Sequence, residues 1–182
     1  MLNKSVAMRY AEAFYNIAEE HNKIDEYQQE LELVVKTIEE MENLREYMDH
    51  FLIPVDAKKE VISKIFADNI SVMTLNFLHM IIDKRREAYL DFIVEEYQEL
   101  TDIYHNISKA ELISAQEVPE DAVQDLVEKL SISTGKIVQL KQTIDPLLIG
   151  GIKIRIGDQI IDATVAKKLE MLKTQLKEAK IS

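Results

Sequence analysis

The stretch Asp145-Pro146-Leu147-Leu148-Ile149-Gly150-Gly151-Ile152-Lys153-Ile154-Arg155-Ile156-Gly157-Asp158-Gln159-Ile160-Ile161-Asp162 is where the chain turns from helix to sheet. Ile152, Ile154 and Ile156 alternate with Lys153 and Arg155, the period of a strand with one wet face. Gly150-Gly151 holds two of the chain's four glycines. Backbone N–H groups there could cradle an anion, but a strand follows and no catalytic Ser, Lys or Arg stands at a telling distance. A bend or bulge leading into the strand is the expected role. Gly157-Asp158 reads as a tight turn into Ile160 and Ile161.

Working outward, Val138, Leu140, Gln142 and Ile144 also have period two, as do Ala110, Leu112 and Ser114 against Lys109, Glu111 and Ile113. Between them Pro119 is expected in the first turn of a helix carrying Val123, Leu126, Val127 and Leu130 inward. After the quoted stretch, Val165, Leu169, Leu172 and Leu176 form a narrow apolar seam on a last, lysine-rich helix. Residues 106–182 therefore read as a small α+β domain.

Residues 1–105 read as helix throughout. Val6, Tyr10, Ala13/Phe14 and Ile17 recur at helical spacing, with Ala7, Ala11 and Ala18 widening the stripe. Tyr27, Leu31, Val34, Ile38 and Met41 mark a second helix from about Ile24. Asn43-Leu44-Arg45-Glu46 has capping-box spacing for a short third helix, ended by Pro54. Asp56 is expected to cap a fourth helix with Val61, Ile62, Ile65 and Phe66, and Ser71 a fifth with Leu75, Phe77, Leu78, Met80, Ile81 and Ile82. Leu90, Ile93, Tyr97, Leu100 and Tyr104 define a sixth. The fold expected is an α-helical N-terminal six-helix bundle followed by a small α+β C-terminal domain, divided as 1–105 and 106–182.

Composition narrows the function. The 182 residues carry a net charge of −11 and no cysteine. This argues against a nucleic-acid partner, which needs a basic surface, and removes disulfides, thiolate catalysis and cysteine-ligated zinc. The acidity is confined: residues 1–105 hold 11 Lys/Arg against 22 Asp/Glu, whereas residues 106–182 hold 11 of each. Two units with different partners are expected. No apolar run approaches the roughly 20 residues that span a bilayer. Met1-Leu2-Asn3-Lys4-Ser5 leads straight into a helical pattern without a secretory or Arg-rich leader, so a soluble intracellular protein is expected, without direct membrane insertion.

Nothing assembles a catalytic centre. His21, His50, His79 and His105 have no second histidine at ligand spacing, and ordinary polar roles are expected for them. Thr134-Gly135-Lys136 lacks the first glycine and the Ser/Thr of a phosphate loop, and it precedes a strand. Arg85-Arg86 beside Lys84 suits the C-terminal end of the fifth helix, where the dipole favours cations. No nucleophile, base and oxyanion donors converge, so neither an enzyme nor a cofactor is expected. What remains is the broad apolar sector of the first and fifth helices. It suits either a central position in the bundle or a groove, floored by Ala7, Ala11 and Ala13 beside Tyr10 and Phe14, that receives another amphipathic helix.

The stretch from Asp145 to Asp162 resembles the signature of the delta-subunit family of F-type ATP synthases, whose mitochondrial counterpart is the oligomycin-sensitivity-conferring protein. The opening Arg9-Tyr10-Ala11-Glu12-Ala13-Phe14 is similar to that family's first helix. The two matches lie at opposite ends, so the resemblance covers essentially the whole chain.

The resemblance implies a non-catalytic stator subunit of a proton- or sodium-translocating complex. The helical domain would grip the N-terminal helix of an alpha subunit of the catalytic head in a groove between the first and fifth helices. The C-terminal domain would engage the paired b subunits of the peripheral stalk, so that rotor torque drives ATP synthesis. Carried onto this chain, the partner-binding positions are Tyr10, Ala13, Phe14 and Ile17 on the first helix, Phe77, Met80 and Lys84 on the fifth, and Tyr27. The absence of a transit segment implies the cytoplasmic face of a bacterial plasma membrane. Two departures stand out: Arg85-Arg86 where relatives often have a Gly-containing turn, and Thr164 where they commonly carry Ser. The rival reading is a cytosolic helical-bundle scaffold for an unrelated amphipathic helix.

Overall fold

The computed structural model describes residues 4–157 and 159–179, the last five of these by backbone only. Among the described residues the chain is mostly helical, with eight α-helices and one four-stranded sheet. It divides into two compact units, Met1–Asp102 and Ile103–Ser182.

In the first unit the helices are α1 (Lys4–Glu20), α2 (Ile24–Glu40), α3 (Glu42–Asp49), α4 (Val55–Phe66), α5 (Val72–Asp83) and α6 (Leu90–Tyr104), with a 3-10 turn at Glu87–Tyr89. The last two residues of α6 lie in the second unit. Each helix contributes an i, i+3, i+4 stripe to one apolar core. On α1 the buried stripe is Ala7, Ala11, Phe14 and Ala18, three small residues around one aromatic ring. On α2 it is Ile24, Tyr27, Leu31, Val34 and Ile38. Burying a Leu, Ile or Phe side chain contributes roughly 1.5–3 kcal/mol.

Polar groups fix the order of packing. The Tyr97 hydroxyl donates to the Ile24 carbonyl at 3.0 Å, and burial pushes its phenol well above the usual range. Lys58, 2% exposed, donates to the Met48 carbonyl and pairs with Glu87 at 2.8 Å, tying α4 to the end of α3 and the 3-10 turn.

Helix ends depart from the sequence expectations in places. Ser71 caps α5 as expected, accepting from the Thr74 N–H at 3.2 Å. Asn43 does not cap α3: the cap position is Met41, without a side-chain bond, and Asn43 lies inside the helix. Asp56 likewise sits in the first turn of α4, where its charge suits the dipole, and Pro54 is the cap. In both cases helical dihedrals begin earlier than the pattern implied. Two helices end in Schellman turns with non-glycine residues in the left-handed region, Asn22 (φ 55°) after α1 and Arg85 (φ 54°) after α5. After α5 the Arg86 N–H reaches the Ile81 carbonyl and the Arg85 N–H the Ile82 carbonyl, both at 3.0 Å. The glycine-like turn is therefore kept without glycine.

In the second unit β1 (Ile107–Ser114) is followed by α7 (Glu120–Thr134), β2 (Ile137–Ile144), β3 (Ile152–Ile156), β4 (Gln159–Asp162) and α8 (Val165–Ala179). The strand order is β2-β1-β3-β4. β1 and β2 are parallel, Ile107 opposite Ile137 through Ser114 opposite Ile144, so α7 is their crossover. β3 is antiparallel to both β1 and β4. Pro119 is the residue before α7 rather than a member of its first turn. Val123, Leu126, Val127 and Leu130 of α7 pack on Ala110, Leu112, Val138 and Ile154 of the sheet.

Thr134-Gly135-Lys136 is a helix end: Gly135 takes φ 66°, and the Asn106 side chain donates to its carbonyl at 2.9 Å. Gly151 has φ 87°, and a Cβ there would lie 2.6 Å from the Ala163 carbonyl oxygen and 2.8 Å from the Thr164 Cα. The double glycine thus lets the start of β3 touch the entrance of α8. Thr164 caps α8 by accepting from the Lys167 N–H at 3.2 Å, and its hydroxyl and N–H both donate to Asp162, which lowers that carboxyl below its usual range. The apolar seam of α8 faces solvent: Val165, Leu169 and Leu172 are all exposed, at 40%, 57% and 54%. The Leu176 side chain and Asp158 lie outside the described residues.

Candidate functional site

The candidate surface lies on α1 and α5. The start of α1 is held by the Lys4–Glu96 ion pair at 2.9 Å, and Glu96 raises the Lys4 pKa. α5 is set by Glu30 of α2, whose carboxylate accepts from the Ser71 N–H at 2.7 Å, the Ser71 hydroxyl at 2.8 Å and the Thr74 hydroxyl. A carboxylate at a helix N-terminus, with three donors, satisfies groups that would otherwise be orphaned. No sequence pattern announces this contact, because 41 residues separate Glu30 from Ser71.

Between the two helices, Phe14 stacks on Phe77 with centroids 4.1 Å apart and planes 13° apart. Tyr27 stacks on the other side of this cluster, 5.3 Å from Phe14, and Tyr97 tilts against Phe14 at 5.7 Å. The His21 ring nitrogen Nδ1 lies 3.2 Å from the Tyr27 hydroxyl. Phe14, Phe77 and Tyr27 are 1%, 6% and 3% exposed, so they are core residues that fix the spacing of α1 and α5.

The remaining positions lie at the surface: Tyr10 and Ile17 half-buried, Ala13 and Lys84 exposed, Met80 36% exposed. Of the small residues thought to floor a groove, Ala7 and Ala11 are fully buried and only Ala13 faces outward. Lys84 is the residue after α5, and its neighbour Arg85 donates from Nη1 to the Phe51 and Ile53 carbonyls at 3.1 Å. The sequence, through the resemblance, offered Phe14, Phe77 and Tyr27 as partner-binding positions rather than as the buried ring cluster they form. It missed Tyr97, which completes the stack, because α6 lies some 80 residues away in the chain. The arrangement leaves Ala13, Met80 and the half-buried Tyr10 and Ile17 at the surface over a buried aromatic floor.

Among the described residues no group of His, Asp and Glu could hold a metal ion, and no helix is long and apolar enough to cross a membrane.

Comparison with known proteins places these features in a family. The family model of the ATP synthase delta (OSCP) subunit matches residues 6–176. The ATP synthase subunit delta of Syntrophomonas wolfei is 63% identical over 182 residues, covering the whole of both chains. That of Moorella thermoacetica is 40% identical, covering 98% of this chain and all of the relative. Among solved structures, a chain of the Toxoplasma gondii mitochondrial ATP synthase hexamer superposes with a TM-score of 0.71 at 18% identity, covering 93% of this chain and 96% of that one. This last likeness speaks for the fold alone.

Proposed function

Because the chain belongs to the ATP synthase delta (OSCP) subunit family, and so is a non-catalytic stator component of an F-type ATP synthase, we propose that its first unit grips the N-terminal helix of an alpha subunit on the α1–α5 surface. Tyr10, Ala13 and Ile17 would contact that helix from α1, and Met80 and Lys84 from α5. Phe14, Phe77 and Tyr27 would act from beneath, as the stacked floor that keeps the two helices at a fixed spacing. The observation that carries this reading is the Phe14–Phe77 stack, which sets α1 beside α5 while leaving an apolar strip exposed above it. The second unit would dock the b subunits of the peripheral stalk, and the protein would work at the cytoplasmic face of a bacterial plasma membrane. It offers two alternative surfaces for this, the open sheet and the exposed seam of α8.

A stator joint must hold under load, so its off-rate matters most. Nanomolar affinity corresponds to about 12 kcal/mol, within reach of a helix seated on a few well-buried anchors. The test is calorimetric titration of the full chain with a peptide of the cognate alpha subunit's first ~20 residues, a length set by helix-in-groove recognition. Saturable one-to-one binding is expected. Ala13→Glu or Met80→Glu, both surface changes, should weaken it by about 30-fold, equivalent to roughly 2 kcal/mol. Binding untouched by either change would move the site off α1–α5.

A further inference from the structure

We propose that the open face of the sheet in the second unit is a docking surface for an acidic amphipathic helix. α7 covers one face of the sheet, through Ala110, Leu112, Val138 and Ile154. The register puts Lys109, Glu111, Lys141, Lys153 and Arg155 together on the other face, because Glu111 lies opposite both Lys141 and Arg155 and Lys153 lies opposite Asp162. A shallow, open depression of about 700 Å³ lies on it, lined by residues of β1, β2 and β3 and by Gly157.

Its charge runs against that of the chain. Among the described residues, four cations, Lys109, Lys141, Lys153 and Arg155, share this face with two carboxylates, Glu111 and Asp162, in a protein of net charge −11. Glu111 is already engaged by Arg155 Nη2 at 2.6 Å and the Thr143 hydroxyl at 2.9 Å. Lys141 is exposed and has no hydrogen bond or ion pair among the described residues. At the two margins stand exposed apolar side chains, Ile137 on β2 (61%) and Ile160 on β4 (56%). A basic centre between apolar margins matches a helix with one acidic and apolar side. A sheet covered by a helix on one face gains a third layer when a second helix lies across the other. An extended peptide would instead add to an edge strand, β2 or β4.

In the assembled synthase that helix is assigned to the peripheral stalk, an assignment that rests on the stalk reading above. The experiment is titration of the 15N-labelled full chain with the purified soluble segment of the cognate b subunit, with affinities measured in parallel by calorimetry. Expected are chemical-shift changes at Lys109, Lys141 and Arg155, and affinity that falls steeply toward about 0.5 M salt. Lys141→Glu should weaken binding about tenfold, with Lys141→Gln intermediate, while the charge-matched Lys173→Glu on α8 changes it less than about twofold. Retained binding with the shifts on α8 or on a strand edge, and with Lys173→Glu at least as damaging as Lys141→Glu, overturns the face but leaves the stalk reading standing. Failure of the folded wild-type chain to bind the b segment overturns both.

Discussion

The two units solve the burial problem to different degrees. Among the described residues the first buries 22 apolar side chains in one core, from Ala7 to Tyr97, whereas the second buries five. The first leaves its apolar stripes largely inside. The second leaves Leu147 (91%), Ile149 (79%), Ile160, Leu169 and Leu172 in solvent. Five core residues on a four-stranded sheet and one crossover helix make a marginal unit by the usual scaling of core with size. The difference teaches that the first unit closes a large core with its own side chains, although Phe51, Leu52 and Val72 stay exposed at 77%, 70% and 75%, whereas the second closes only a small one.

The largest expected effect breaks the first unit at its centre. Phe14→Ala removes the ring shared by Phe77, Tyr27 and Tyr97 and should cost about 3–5 kcal/mol. Urea unfolding followed by two-dimensional NMR should show this loss in α1–α6 while the amides of β1–β4 keep their own midpoint. A common shift of both would mean that the units do not unfold separately.

Glu87→Gln should come next, costing about 3 kcal/mol, because it leaves the Lys58 ammonium buried without a countercharge, facing only the neutral Met48 carbonyl and the new amide oxygen. The replacement Lys58→Met together with Glu87→Leu should recover most of that loss, and a double variant as unstable as Glu87→Gln would refute the desolvation argument.

The smallest effect sharpens the comparison in the second unit. Thr164→Ala removes the cap of α8 and both the hydroxyl bonds it makes, for about 1 kcal/mol. It also changes the pH response. The Asp162 carboxyl is held below its ordinary value, first by the Thr164 hydroxyl and then by the Thr164 N–H. Its contribution is therefore present above the unfolded pKa, near 3.8, and is lost as pH falls through the lower folded value. Thr164→Ala should flatten that acid-side loss, as read from thermal midpoints across pH 2–5, the span of carboxylate titration.

The sequence carried the helical stripes of α1, α2, α5 and α6 plainly, since apolar spacing survives whatever packs on it. The strands at Ile152–Ile156 and Ala110–Ser114 were equally open to reading by alternation. Caps were less so. Asn43 and Asp56 fit the spacing of a cap yet sit inside their helices, because a cap is decided by backbone dihedrals that residue type only biases. Arg85 in the left-handed region had no residue-type signal, since glycine usually fills that place, and the bridge from Glu30 to Ser71 joins residues far apart in the chain. The α8 seam has the spacing of a buried stripe, but periodicity reports only that a face is apolar. It does not say whether the chain itself or another molecule covers it. The same limit applied to the candidate site: the family resemblance gave Phe14, Phe77, Ala13 and Met80 alike as partner-binding positions, and only packing could separate the buried Phe14 and Phe77 from Ala13 and Met80 at the surface.

The claim that the first unit holds the larger self-made core, and that the stalk docks on the second, is tested most directly by amide hydrogen exchange on the full chain, alone and with the cognate b segment. The account predicts that in the free protein the slowest amides of α1, α2 and α5 outlast those of β1 and β3 by about 100-fold or more, and that the b segment slows exchange in the second unit alone. Equal protection of both units in the free chain, or no change in the sheet on saturation, would contradict it.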